Sequence, residues 1–193
     1  MNYFPSTHIG RFWLAALLAL GVVGCEDQTM AVEPKNGMNQ AESIAEQSPD
    51  SLVARAETLQ PAELYMLATK LMGAGRMDEA VKWFYIGQLR YRFHLAAIQP
   101  PPGSNDLVLF SALSESVGRP INEYAFGDVD SAVAQIDAAL AWDEAHGNRF
   151  TSKTRYPTEL AETRSGLQAM RDDMIAKKDE IRSTRETNGL PNR

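Results

Sequence analysis

From Thr58 onward, apolar residues recur with the period of an amphipathic helix: Pro61 suits a first helical position, and Leu64, Leu67, Ala68 and Leu71 fall at i, i+3, i+4 and i+7. Gly73 and Gly75 interrupt the pattern. A second helix is expected from Asp78, whose carboxylate can cap free backbone N–H groups. It continues through Ala80, Val81, Trp83, Phe84, Tyr85, Ile86, Leu89, Tyr91, Phe93 and Leu95 to about Ile98. It is apolar nearly all the way round, which places it at the centre of a bundle.

The run Gln99-Pro100-Pro101-Pro102-Gly103 ends that helix, because proline lacks the N–H and clashes with the preceding turn. Ser104 or Asn105 can cap a third helix over residues 106–117. Gly118-Arg119-Pro120 is expected to stop it before an irregular stretch, 121–127, in which Asn122, Glu123, Tyr124 and Phe126 mix polar and aromatic side chains. A fourth helix starts near Asp128, with Val133, Ile136, Ala139 and Leu140 on one face, and ends near Gly147-Asn148. Residues 149–157 read as a loop. A fifth, 158–184, carries a narrow stripe of Leu160, Leu167, Met170, Met174 and Ile181 at near-heptad spacing between charged faces, the pattern of an outer packing helix or of half of a coiled coil. No segment shows strand periodicity, so an all-α bundle of about five helices is expected over residues 51–186, with 187–193 as a disordered tail.

The N-terminus has a different character. Arg11 precedes an apolar run, residues 12–23, which is followed by Gly24-Cys25-Glu26-Asp27. The order is that of an export signal, and the run is shorter than the roughly 20 residues a helical membrane span needs. Val22-Val23-Gly24-Cys25 resembles the lipobox of bacterial lipoproteins. That resemblance implies a signal peptide over residues 1–24, Cys25 as the lipidated mature N-terminus, and a place in the cell envelope facing the periplasm. A signal anchor, or a secretory signal with a chance cysteine, are the other readings. Cys25 is the single cysteine, so no disulfide forms within one chain. Each buried CH₂ of an acyl chain contributes about 0.8 kcal/mol to anchoring. Glu26-Asp27 resembles the acidic pair that favours inner-membrane retention, and the choice of membrane stays open. Residues 26–50, rich in Glu, Gln, Asn, Ser and Pro, bury too little surface to offset the entropy of ordering; 25–50 is therefore expected as a flexible tether.

Leu64-x-x-Leu67-Ala68-x-x-Leu71, Gly75, and Ala80-x-x-x-Phe84-x-x-Gly87 resemble a tetratricopeptide or Sel1-like repeat, a helix-turn-helix unit of about 34 residues. Ala132, Ile136, Ala139 and Leu140 resemble the second helix of another. The likeness is degenerate: Leu64 stands where the motif has tryptophan and Arg92 where it closes on proline. It implies close packing through Ala68, Ala80 and Gly87, and a partner-facing surface on Tyr65, Thr69 and Met72.

The chain carries 19 Lys+Arg against 25 Asp+Glu, a net charge of -6, which disfavours nucleic acid as a partner. His94 and His146 cannot form a multi-histidine metal site, and no H-E-x-x-H or G-x-S-x-G occurs. Gly73-Ala74-Gly75-Arg76 lacks the Lys-Ser/Thr of a phosphate loop. Asp128 and Asp130 are read as helix caps, since Ala132, Val133 and Ala134 follow where calcium needs oxygen. No metal or cofactor is therefore expected. What stands out is Gln88, Arg90, Arg92 and His94 on an otherwise apolar helix, since burying such groups costs several kcal/mol unless they are paired. Either they pair with carboxylates such as Glu123, Asp137 or Asp143, or they line a cleft for an anionic ligand. The expected function is a lipid-anchored, non-enzymatic module that binds another envelope or periplasmic protein. The alternatives are an immunity-type lipoprotein neutralising a periplasm-acting toxin, an envelope scaffold, and a small-anion binder or enzyme using Arg90, Arg92 and His94.

Overall fold

The computed structural model describes residues 44–193; the signal segment, Cys25 and residues 26–43 lie outside the described residues. The described residues form helices and connections, with no strand among them. In chain order the helices are α1 (Pro49–Ala54), a 3₁₀ turn (Ala56–Thr58), α2 (Pro61–Gly73), α3 (Met77–Ile98), α4 (Asn105–Ser116), α5 (Gly118–Ala125), α6 (Val129–Ala145), α7 (Pro157–Ala176) and α8 (Lys178–Thr187).

The apolar girth of α3 decides the architecture. Trp83, Phe84, Tyr85, Ile86, Leu89, Tyr91 and Phe93 point around the helix axis and are all buried, so α3 must be covered from several sides. It packs most heavily on α2, then on α6, with α7, α5 and α4 completing the shell. The α2–α3 turn closes through Gly75, whose φ of 75° favours glycine. Gly87 lies at the closest approach of the pair: a Cβ there would sit 3.1 Å from the Leu64 Cβ and 3.1 Å from the Tyr65 ring. Small residues at this crossing bring α2 and α3 together, and Leu64, Leu67, Leu71 and Phe84 fill the interior around it.

Several boundaries differ from the sequence expectation. Asp78 does not cap α3. Arg76 precedes the helix and its guanidinium grips both Glu79 oxygens, at 2.6 and 2.7 Å, leaving Asp78 to accept from the Tyr124 and Ser131 hydroxyls. Residues 118–125 are helical where an irregular stretch was expected: Pro120 falls in the first turn of α5, where a backbone N–H has no helical acceptor to lose. The long C-terminal helix is two, α7 and α8, with Lys177 at φ -106° between them.

The domain also extends beyond the 51–186 limits at both ends. Ile44 is buried, Lys70 Nζ donates to the Ala45 carbonyl at 2.6 Å, and Ser48 caps α1. The last seven of the expected tether residues, 44–50, thus belong to the packed body. The expected disordered tail is likewise tied down: the Arg193 N–H donates to the Gly127 carbonyl at 2.7 Å, its guanidinium lies 3.5 Å from the Tyr124 ring centre, and Arg185 donates to the Pro191 carbonyl at 2.8 Å.

Candidate functional site

Helix geometry separates the four polar residues of α3. Each residue advances about 100° around the axis, so positions two apart point to opposite sides and positions four apart share one. Arg90 and His94 face α6 and the loop after it, whereas Arg92 faces α4. The expected single cluster of Gln88, Arg90, Arg92 and His94 is therefore not one site. Arg92 is exposed and rests its guanidinium 5.3 Å from the Phe110 ring centre. Gln88 is buried with its Nε2 lacking an acceptor. Glu123 is exposed on α5 and forms no ion pair among the described residues, so it supplies no counter-charge to α3.

Arg90 is 1% exposed and finds its partner on α6: its Nε donates to Asp143 Oδ1 at 3.2 Å, and its Nη2 to the Gly147 carbonyl at 2.6 Å. Its guanidinium sits 4.7 Å from the Trp142 ring centre, against which Trp83 packs edge-on. Burial pushes the Arg90 pKa down against the opposing pull of Asp143; a guanidinium so far above neutrality stays charged. Asp143, also 1% exposed, takes two further cations on its other oxygen: Lys153 Nζ and Arg164 Nη1, each at 3.1 Å. Three cations thus converge on one buried carboxylate, and Arg90 Nη1 is left without an acceptor. Asp137, the other carboxylate considered for this role, pairs instead with Arg171 at 2.6 Å.

His94 opens onto a cleft of about 730 Å³ between the end of α3 and the loop that joins α6 to α7. Its Nδ1 lies 3.0 Å from the Thr151 hydroxyl and its ring lies tilted against Phe150, 4.6 Å between ring centres; burial lowers its pKa and so favours the neutral ring. Asn148 shapes the loop, because its Oδ1 accepts from the Phe150 and Thr151 N–H groups, both at 3.1 Å, while its Nδ2 has no acceptor. Opposite, His146 stacks flat on Trp142 at 4.4 Å. Residues 147–156 include Arg149, Lys153 and Arg155 and no carboxylate. Apolar periodicity does not mark this loop as a site; its signal is one-signed charge within an acidic chain.

The surface expected on α2 changes as well. Tyr65 is fully buried, packed edge-on against Phe84 at 5.4 Å, and burial pushes its hydroxyl up to about 12; it belongs to the core and not to a partner face. Met72 is partly buried against the core, and only Thr69 is exposed, with its hydroxyl turned to the Tyr65 carbonyl at 3.0 Å. The free apolar surface lies elsewhere, on α4. None of its residues is buried, and Val108 and Leu109 are 60% and 45% exposed, with Ile98 at the end of α3 43% exposed. Phe110 and Leu113 on its inner side hold it to the bundle.

No known protein family and no solved structure matches the chain. It is 26% identical over 117 residues to an uncharacterised protein of Haemophilus influenzae; the match covers 61% of this chain and 46% of that protein, so the chain spans about half the length of the relative.

Proposed function

We propose that this chain is a lipid-anchored, non-enzymatic interaction module of the bacterial cell envelope, facing the periplasm and docking a helical segment of another envelope protein on α4. The observation that carries the reading is α4 itself, a twelve-residue helix whose outer face offers Val108, Leu109 and Ala112 to solvent. Isolated exposed apolar residues are ordinary, but neighbours at helical spacing form a ridge. Ser111, Ala112 and Ser116 beside them are small enough for a partner helix to approach closely. The address rests on the lipobox-like Val22-Val23-Gly24-Cys25. The repeat-like pairing of α2 with α3 supplies the rigid body on which such a face is presented.

Photo-crosslinkers placed at Val108, Leu109 and, as control, Thr69 test the docking face in living cells. The expected result is an adduct with one envelope protein at 108 and 109, absent at 69 and lost when Leu109→Glu is combined with the probe at 108. Equal adducts at all three sites sink the docking face. Membrane fractionation of Cys25→Ser tests the anchor separately, and an unaltered membrane share removes it.

A further inference from the structure

We propose that the cleft between His94 and the 147–156 loop is a binding site for a small ligand carrying an oxyanion, a carboxylate or phosphate, on a planar apolar body. Among its lining residues the cations Arg149, Lys153 and Arg155 outnumber the one carboxylate, Glu144. Arg149 and Arg155 stand exposed at the rim and form no ion pair among the described residues. Asn148 lines the cleft, and its Nδ2 is a covered donor without an acceptor. The identity of the Asn148 donor is fixed by geometry, because two backbone N–H groups already occupy its other atom and so make that atom the oxygen. Beneath the floor three cations share the single buried carboxylate of Asp143.

The counter-charges are few. Glu144 lines the cleft but turns to Arg164 at 3.3 Å, and Glu57 stands 3.9 Å from His146. Arg149, Lys153 and Arg155 thus line the cleft against the single lining carboxylate of Glu144, with Asp106 acting on His94 and Glu57 near His146, in a chain whose overall charge is -6. A local surplus of the opposite sign in a concave site focuses potential on an anion. The planar body is inferred from Phe150, 42% exposed beside His94, and from Ile98 on the opposite rim, which give an apolar contact next to the charged one. The loop is held for this by its own bonds: Thr151 is buried, Ser152 accepts from the Arg155 N–H at 3.2 Å, and Lys153 donates to the His146 carbonyl at 2.9 Å. Neither the α4 surface nor lipidation at Cys25 enters this inference, so it stands or falls apart from the docking proposal.

The test is an NMR titration of the full mature chain in a non-ionic detergent with phenyl phosphate, benzoate and the neutral benzamide. Saturable shifts of the Thr151 amide and the Asn148 side-chain amide are expected with the two anions and not with benzamide; the tighter of the two identifies the preferred oxyanion. Arg149→Gln with Arg155→Gln, both at exposed positions, should weaken binding about tenfold or more at unchanged Tm. Asn148→Asp keeps the loop-closing oxygen, replaces the donor with a negative atom, and should also lose binding. Absence of saturable shifts with both anions, equal affinity in the arginine variant, or equal binding of benzamide overturns the site.

Discussion

Asp143 shows how far one residue can govern this molecule. Its two oxygens hold Arg90 inside the bundle and tie down Lys153 from the following loop and Arg164 from α7, so the shape of the cleft depends on a single carboxylate. The substitution Asp143→Asn leaves the buried Arg90 guanidinium without a counter-charge, a change that costs about 3–5 kcal/mol. For a domain of this size Tm should fall by roughly 6–20 °C, read by thermal melting. Lys153 and Arg164 are partly exposed and can turn to water, so the loss belongs mainly to Arg90. Combining Asp143→Leu with Arg90→Met should therefore recover much of the stability, since no ion is then buried alone. A double variant as unstable as Asp143→Asn would show that the loop contacts, and not the buried arginine, carry the cost. Asp143 was already among the possible partners of Arg90 on sequence grounds. The four-residue spacing puts Arg90 and His94 on one face; that Asp143 meets Arg90 and not His94 follows only from the packing of α6 on α3.

At the scale of elements, what was legible is what burial makes periodic. The pattern Leu64, Leu67, Ala68, Leu71 and the all-round apolar α3 located the central pair, because both are dictated by a core that touches them along their length. Breaks without a core signature were not legible. The apolar positions Met174 and Ile181 keep helical spacing across Lys177, so nothing in the pattern marks the division of α7 from α8. Gly118-Arg119-Pro120 does follow the end of α4 at Ser116, as glycine and proline suggest, but nothing in the pattern shows that Gly118 also starts α5 and lets it approach α3. A Cβ at Gly118 would lie 2.9 Å from Phe84 Cζ, the tip of a ring that has no exposed surface to move into. Gly118→Ala should therefore destabilise by about 1–2 kcal/mol, overpacking outweighing the gain in helix propensity. In a Phe84→Leu background the same change should be neutral or stabilising, a coupling of about 0.5–3 kcal/mol measurable from urea midpoints. Equal effects in both backgrounds would place the cost in the α5 backbone.

For the molecule as a whole, the helices are graded in how much they depend on one another. α3 is covered by α2, α5, α6 and α7, its tyrosine and tryptophan rings interlock with those of its neighbours, and the Tyr85 hydroxyl is held by buried Asn122 at 3.0 Å. α4 is joined to the rest through Phe110, Leu113 and the bond from the Tyr91 hydroxyl to the Asp106 carbonyl at 3.3 Å, with no residue fully buried. Opening α3 exposes the core and requires global unfolding; opening α4 uncovers Phe110, Leu113 and the Tyr91 ring beneath them and no fully buried residue of its own. Hydrogen exchange should separate the two, with amides of residues 84–91 exchanging only through global unfolding and those of 108–114 through local opening at much lower free energy. The C-terminal residues should fall between, since the Arg193 contacts to Gly127 and Tyr124 close the chain back on the α5–α6 junction. This gradient bears on function, because a partner that covers α4 should raise protection there and leave α3 unchanged, whereas an oxyanion in the cleft should act on residues 147–156. Protection of α4 as high as that of α3 in the isolated chain would mean that the helix is already part of the core and has no free face to offer.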